Sequence, residues 1–347
     1  EKLTGVSAIV YPQEIASGAE LIEIGLGEEK YLFTTTKPIT LQAGYKSIFT
    51  ITLSRNSLSV ETGVTDWTEG EGDEGVAQPG ITIPDEVFRS YIVELLKTEW
   101  DGGTIHRQDV EKITRIDIPA PGPTEPKIKT LAGIEYFAAL EYLSFPSQEV
   151  SAVDVSKNIK LDTLICRNNQ LTTLDISQNS ALTLLNCSYN QLTTLDVRQN
   201  TVLTNLYCDW NQLTTLNVSG CTALEILYCY GNQLTTLDVS KNTALMGLNC
   251  WNNQLTSLDI SKNTTLTSLS CHENQLTTLD VSQNTALKSL SCNNNQLTSL
   301  DVSGCTALTR LECNDNQITS LDVSQNIGLE YLECFNNQLT SLDAGGC

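Results

Sequence analysis

Apolar positions recur every 21 residues from Leu140 to the last residue, over ten copies without insertion or deletion. Numbered from its first leucine, the unit is apolar at positions 1, 4, 6, 11, 14 and 16, as in LTLLNCSYNQLTTLDVRQNTV at 182–202. A fixed period of this size predicts a solenoid, because no single unit can bury these side chains alone. Positions 4 and 6 are two residues apart, so the segment around them should be extended, with positions 3, 5 and 7 facing outward.

Two polar ladders accompany this apolar pattern. Position 9 is asparagine from Asn169 to Asn337, and we expect these amides to be buried and bonded to the turn backbone. Position 15 is aspartate from Asp154 to Asp343, with Asn217 as a single interruption. Carboxylates about 5 Å apart repel one another by roughly 1 kcal/mol in water. Either local hydrogen bonds or a row of bound cations must offset that repulsion.

The pattern LxxLxCxxNxL, followed by LxxLDVSxN, resembles the leucine-rich repeat, and its nested 21-residue form resembles the bacterial class called IRREKO. The resemblance covers 140–347 and implies a β-rich leucine-rich repeat solenoid of ten coils. It further implies strand-like segments on both sides of each coil, and less curvature than in a helix-backed horseshoe. At about 4.8 Å a coil, the array should be on the order of 48 Å long.

The first 139 residues should comprise three parts. Residues 1–70 read as β-strands, and the series YPQ, LQAGYK, FTITL and TDWTEG resembles the C-terminal half of fimbrillin-like domains, which are β-sandwich subunits of Bacteroidetes surface pili. Residues 71–80 are rich in Gly and Glu and predict a linker. Residues 81–139 are similar to the helical N-terminal cap of bacterial leucine-rich repeat proteins, with a helix beginning near Pro84 and a second short helix in RQDVEKIT.

In relatives such a cap carries an EF-hand-like loop, which the segment WDGGTIHRQD would supply here. The ligand positions would then be Thr98, Trp100, Gly102 and Asp109. Calcium takes six to eight oxygen ligands, and most of the carboxylates are missing. We therefore expect no calcium, no other metal and no cofactor.

Nine cysteines occupy position 6, one coil apart, and three more replace the asparagine at position 19. We expect reduced thiols buried as small hydrophobic side chains, because the position-19 cysteines are too far apart for disulfides and parallel thiols do not form a tetrahedral zinc site. The formal net charge of −21 disfavours nucleic acid and anionic lipid as partners. The chain has no run of about 20 apolar residues, so we expect no membrane-inserted segment.

The outward positions carry an aromatic group in the middle of the array, which should form one patch because like positions in neighbouring coils lie about 4.8 Å apart. We name these residues the central patch and take them as the candidate ligand-binding residues: Tyr189, Tyr207, Asp209, Trp210, Tyr228, Tyr230, Trp251 and His272. Contiguous exposed rings favour a binding site for a protein or a carbohydrate. Alternatively, the rings stack on one another and stabilise the sheet.

These features favour a non-catalytic recognition or adhesion protein that binds a glycan, glycoprotein or protein through the central patch. The family resemblances place it outside the cell or on the outer-membrane surface of a Bacteroidetes-like bacterium. A structural subunit associated with fimbriae, with the repeats as a spacer, is the alternative. An enzyme is a third hypothesis, which the sequence does not favour. The two histidines, His106 and His272, lie in different parts of the chain, and no nucleophile–base pair or metal-ligand spacing is present.

Overall fold

The computed structural model describes residues 80–96 and 105–345, without the side chains of Gly80, His106 and Gln108. It also describes the backbone, but not the side chains, of six strands between Glu14 and Gly63. The chain divides into two compact units, Glu1–Ala77 and Gln78–Cys347.

The first unit contains three antiparallel strand pairs. Strand β1 pairs with β4, β2 with β3, and β5 with β6. Their bounds are Glu14–Ile15, Glu20–Leu26, Glu29–Thr34, Ile39–Thr40, Ile48–Ser54 and Ser57–Gly63. The predicted segment FTITL lies in β5, and the hairpin to β6 follows the alternating pattern of that part of the sequence. Residues 1–13, which include YPQ, lie outside the described residues, as do residues 71–79 of the predicted linker at 71–80 and the calcium-ligand positions 98, 100 and 102 of the EF-hand-like alignment.

The second unit begins with a short cap. Strand β7 (Gly80–Ile81) pairs with β8 (Ile105–His106), and helix α1 (Glu86–Leu96) lies between them in the chain. Asp85 begins the helix, because its carboxylate accepts the N–H groups of Val87 and Phe88. Phe88 and Ile92, one turn apart on α1, are fully buried in the core.

The rest of the cap differs from the sequence expectation. The predicted second helix is a single turn, α2 (Arg107–Val110), and a strand, β9 (Arg115–Asp117), follows it. Strand β9 pairs with the first strand of the repeats in parallel register, so the cap extends the sheet by one strand. The 3₁₀ turn Ile134–Tyr136 then leads into the first coil. Because Arg115 aligns with Tyr142, 27 residues further on, the 21-residue period does not reveal this strand.

The repeats build one parallel sheet of eleven strands, counting β9. Each further strand is formed by positions 3 to 5 of one coil, and position 4 pairs with position 4 of the next coil. The strands of this sheet, β10–β18 and β20, are Tyr142–Ser144, Thr163–Ile165, Leu184–Asn186, Asn205–Tyr207, Ile226–Tyr228, Gly247–Asn249, Ser268–Ser270, Ser289–Ser291, Arg310–Glu312 and Tyr331–Glu333. The molecule is therefore a β-solenoid whose coils are joined by parallel hydrogen bonding.

The solenoid core follows the predicted inward positions. In the coil that starts at Leu203, the side chains of Leu206, Cys208, Leu213 and Val218 are fully buried. The pattern weakens in the last coil, where Leu329 and Leu332 are half-buried, and at Val153 in the first coil, which is also half-buried. The period of the apolar residues thus assigns most of the core from the sequence.

The second half of each coil is less regular than expected. Only two strands form there, β19 (Ser320–Asp322) and β21 (Ser341–Asp343), together with a single bridge between Asp196 and Asn217. In the other coils the segment is buried at positions 14 and 16, except that Val153 in the first coil is half-buried, and it forms no further strand there. The Asp side chain at position 15 accepts the N–H group two residues on, and the chain turns there. Within the described residues, no helix is long and apolar enough to cross a membrane.

Candidate functional site

The strands point the side chains of positions 3, 5 and 7 to the face opposite the core. A left-handed residue at position 8 then turns the chain out of each strand, with φ of 49–61° at nine non-glycine residues. Most of these are Asn, Asp, Ser or Glu, which suits a conformation that bulky side chains rarely adopt. Tyr189 (φ 54°) and Trp210 (φ 50°) are the two aromatic residues at this position. Two large rings are therefore held in a backbone conformation that costs free energy.

Three rings at position 7 form a parallel stack. The ring centroids of Tyr230 and Trp251 lie 5.0 Å apart with planes 11° from parallel. Those of Trp251 and His272 lie 4.9 Å apart at 10°. Because Trp251 lies between two parallel rings, both of its faces are covered by neighbours, and it is half-buried.

A second pair lies beside this stack. Tyr189 and Trp210 are stacked with centroids 6.0 Å apart, and Trp210 meets Tyr230 and Trp251 nearly at right angles, at 6.2 and 5.8 Å. Tyr189 is 49% exposed and Trp210 is 38% exposed. Of the aromatic residues in the central patch, these two offer the most surface to a partner.

Two tyrosines at position 5 complete the group. Tyr207 and Tyr228 meet edge to face with centroids 5.2 Å apart, and Tyr228 lies 6.4 Å from Tyr230. All seven rings thus form one connected cluster, and the structure brings the predicted aromatic residues together. The ring-on-ring alternative also has support, because Trp251 is enclosed by the stack.

Gly231 contributes to this arrangement and was not singled out by sequence reasoning. It occupies position 8 with φ of 62°, and a Cβ atom there would lie 2.8 Å from two carbon atoms of the Trp210 ring. The indole therefore packs directly on the backbone of the next coil. The available sequence signal is that position 8 is glycine only in the coil after Trp210.

Asp209 departs from its expected outward placement. It is 4% exposed, and the Ser188 hydroxyl donates to its Oδ1 at 2.6 Å. The Tyr230 hydroxyl also donates to it. Burial raises the pKa of Asp209, and the two hydrogen bonds act in the opposite direction. Burial likewise raises the pKa of Tyr230, with the nearby Asp209 carboxylate as the next cause. Asp209 lies under the aromatic residues as a buried carboxylate.

His272 closes the cluster at one end. Its Nδ1 lies 3.1 Å from the Ser270 hydroxyl, and burial lowers its pKa, while Glu273 and Glu312 act to raise it. The lowered pKa favours a neutral ring at neutral pH.

The asparagine ladder at position 9 is structural, as the sequence predicts. In Asn253, Nδ2 donates to the carbonyls of Cys229 and Cys250, and Oδ1 accepts the N–H group of Leu234. Each such residue joins its own turn to the preceding coil.

The aspartate ladder at position 15 is bonded locally. Asp259 Oδ1 accepts the Ser261 N–H group at 2.9 Å, and the same contact recurs in the other coils. These hydrogen bonds from the backbone and side chain of Ser261 lower the pKa of Asp259. Asn217 makes the equivalent contact to Ser219 at 3.0 Å, so an amide serves at this position. Among the described residues, no group of His, Cys, Asp and Glu has a metal-binding arrangement.

The cysteine ladder is reduced and buried. All eleven described cysteines are free thiols, and each is buried except Cys334, which is half-buried. Burial raises the pKa of Cys166, Cys229 and Cys271 to about 12. Thiols with such a pKa do not act as nucleophiles at neutral pH. Cys347 lies outside the described residues.

With the parallel coils, the buried asparagines and the cysteine ladder in place, the chain is a leucine-rich repeat solenoid. A family model of leucine-rich repeats (two copies) matches residues 285–326, and a fimbrillin-like model matches residues 1–67. No curated protein matches the chain.

Solved structures are similar to the chain over about three fifths to three quarters of its length. The functional domain of InlJ from Listeria monocytogenes, described as including a cysteine ladder, is 37% identical with a TM-score of 0.69; the alignment covers 76% of this chain and 60% of that one. The chain thus spans less than two thirds of that structure. The internalin InlF of the same bacterium is 21% identical, with a TM-score of 0.61 and coverage of 75% and 88%. A leucine-rich repeat protein of Leptospira interrogans is 26% identical, with a TM-score of 0.53 and coverage of 62% and 69%. The second of these likenesses concerns the fold alone.

Proposed function

We propose that the protein is a non-catalytic recognition or adhesion protein that binds a macromolecular partner, a protein or a glycan, through the central patch. The observation that carries this proposal is the connected cluster of rings with Tyr189 and Trp210 exposed at its edge. Large rings in left-handed backbone positions cost stability, which is a feature of functional sites. Exposed tyrosine and tryptophan are enriched at interfaces.

The family likenesses support a place outside the cell or on the outer-membrane surface. We propose that residues 1–70 form a fimbrillin-like part, 71–80 a linker, 81–139 a cap and 140–347 the repeats. We propose further that the repeats are of the IRREKO type and that the protein belongs to a Bacteroidetes-like bacterium. The 21-residue nested period and the match of residues 1–67 to the fimbrillin-like model support both statements.

The structure changes which side chains best test the proposal. Removal of Trp251 would open the ring stack, and a loss of binding could then reflect a loss of structure. Replacement of Tyr189 and Trp210 by alanine removes the two exposed rings and leaves the left-handed backbone of both positions as it is, since alanine also carries a Cβ atom. We expect this double variant to fold and to lose about 2 kcal/mol or more of binding free energy for any partner of the central patch.

The measurement is a binding array of glycans and proteins, probed with the wild type, the double variant and Phe335→Ala. Phe335 is a matched control, since it is an exposed ring (55%) at position 7 of the last coil. Partners retained by Phe335→Ala and lost by the double variant support the proposal. The reverse result would move the site to the C-terminal end.

A structural subunit of fimbriae is the alternative function, and the fimbrillin-like match favours it. In that case the array should give no partner that depends on Tyr189 or Trp210, while the protein copurifies with fimbriae whichever variant is expressed.

A further inference from the structure

Near both ends of the outward face, the chain places an arginine over a tyrosine. The guanidinium carbon of Arg115 lies 3.5 Å from the ring centroid of Tyr142 on the neighbouring strand. That of Arg310 lies 4.0 Å from the ring centroid of Tyr331 on the next strand. Both distances are well within the range of cation–π attraction.

Each of these arginines is also paired with a carboxylate two residues along its own strand. Arg115 bonds Asp117 at 2.6 Å, and Arg310 bonds Glu312. The same set of groups, a ring, a guanidinium and a carboxylate, therefore occurs twice on this face. The guanidinium is the member that both other groups attract.

The central patch has the ring and the carboxylate without the cation. In the five coils that start at Leu182 and end at 286, the outward positions 2, 3, 5, 7 and 8 hold three acidic residues and no lysine or arginine. The three acidic residues are Asp209, Glu225 and Glu273. Within the described residues, no ion pair is formed by Asp209, although it is almost fully buried. The Asp209 carboxylate accepts hydrogen bonds from the Ser188 and Tyr230 hydroxyls and from a backbone N–H group, and a nearby cation would further stabilise its charged form.

The charge of the wider face points the same way. Over the ten coils, those outward positions hold nine acidic and three basic residues, and the chain as a whole carries −21. A partner with positive charge would be attracted before contact and an acidic one repelled.

From these observations we propose that the central patch binds an arginine side chain of a protein partner, which completes the ring, guanidinium and carboxylate set that the chain forms for itself near each end of the face. This inference rests on the proposed function and names its partner. The guanidinium would lie against the exposed rings of Tyr189 and Trp210. Asp209 would act from beneath the rings through its charge, since it is not open to direct contact. Arginine suits the site because its flat, weakly hydrated group packs on aromatic rings.

The test uses the full chain and a short Gly/Ser peptide that carries arginines, with a second peptide in which citrulline replaces each arginine. Citrulline keeps the shape and removes the charge. Calorimetry at low salt should show binding of the arginine peptide and none, or far less, of the citrulline peptide. Trp210→Ala should weaken binding by about three- to thirtyfold, the range of exposed to desolvated cation–π contacts. Asp209→Asn should also weaken binding, because it removes a carboxylate charge close to the bound guanidinium.

Two control variants separate the site from general attraction to an acidic chain. Asp280→Asn removes one charge at position 15, where Asn217 already shows that an amide is accepted. Phe335→Ala removes an exposed ring away from the patch. Both should bind the arginine peptide as the wild type does. Equal weakening by Asp280→Asn and Asp209→Asn would overturn the inference, because the peptide would then be sensing net charge.

Other outcomes distinguish the two levels of the proposal. If neutral oligosaccharides bind in a manner that depends on Trp210 and not on Asp209, the proposed function stands and the arginine inference is wrong. If no probe, peptide or partner from the array depends on Tyr189 or Trp210, both fail. Should Asp209→Asn not fold, the citrulline comparison on the wild type, together with Tyr189→Ala, decides the matter.

Discussion

Single residues in this solenoid differ in how many of their hydrogen-bonding groups are used. The asparagines at position 9 use both the donor and the acceptor of the amide, as Asn253 shows. Six of those at position 19, between Asn158 and Asn284, use the donor only. Asn263 Nδ2 donates to the carbonyls of Val239 and Asn242, while its Oδ1 is buried without a partner. This difference explains why cysteine replaces asparagine at position 19. The Cys221 thiol donates to the Val197 carbonyl and so keeps one of the two carbonyl contacts that an asparagine makes at this position.

The two ladders should therefore respond differently to the same substitution. Asn263→Cys should cost about 1 kcal/mol of unfolding free energy, the value of one hydrogen bond. Asn253→Cys should cost about 2–4 kcal/mol, because it also leaves the Leu234 N–H group buried without an acceptor. Urea denaturation of the two variants measures the difference, and equal losses would show that the unpaired oxygen is not what makes position 19 tolerant.

Gly231 and Trp210 should be coupled. Gly231→Ala places a Cβ against the indole and in a left-handed position, so we expect a loss of about 2–3 kcal/mol of unfolding free energy. With Trp210→Ala also present, the added cost should fall to the backbone part, about 1 kcal/mol. A double-mutant cycle by thermal or urea unfolding gives the coupling. Additive effects would mean that the ring moves aside freely.

At the same scale, the sequence predicts which rings meet but not which of them remain exposed. Spacing by 21 residues places Tyr230, Trp251 and His272 in line, and the structure confirms it. The burial of Asp209 depends on how the rings fold over it, and the outward period of position 7 carries no information about that. The role of Gly231 likewise depends on a contact between coils.

At the scale of elements, period alone gives the strands of the main sheet and the inward residues. It misses β9, whose offset from Tyr142 differs from the repeat length. It also predicts too many strands in the second half of the coil. There the aspartate at position 15 accepts the N–H group two residues on, and the chain turns. Regular hydrophobic spacing is thus a guide to burial on both sides of the coil, and to backbone pairing on one side only.

The cysteine ladder makes the stability of the solenoid sensitive to alkaline pH. An unfolded thiol loses its proton near pH 9, whereas the pKa of buried Cys166, Cys229 and Cys271 is raised to about 12. Between these values the unfolded state binds fewer protons than the folded state, so stability falls as pH rises. Each such thiol contributes about 1.4 kcal/mol per pH unit in that window.

We therefore expect unfolding free energy, measured by urea titration from pH 8 upward, to decline steeply above about pH 9. Replacement of Cys229 and Cys271 by alanine should make that decline shallower, because about two fewer protons are then released on unfolding. The other titratable groups are unchanged by these substitutions, so the difference in slope isolates the thiols. An unchanged slope would contradict burial of protonated thiols.

On the scale of the whole molecule, the hydrogen bonds along the main sheet follow one pattern from coil to coil. Cys208 N–H donates to Tyr228 one coil on, and Cys229 N–H donates to Asn249 in the next. Each coil is bonded only to its neighbours, so the stability of the array is approximately the sum of like contributions from successive coils.

Under tension this repetition becomes a mechanical property. A force applied between the first and last coils would break the bonds of one coil before those of the next, and each release would lengthen the chain by 21 extended residues less one coil rise, about 70 Å. Optical-trap extension should show a series of such steps, and a single large rupture would contradict it. Two coils precede those of the central patch and three follow them, so the terminal coils would unfold first. The connection to a bound partner would then lengthen before the coils of the central patch unfold and the partner is released.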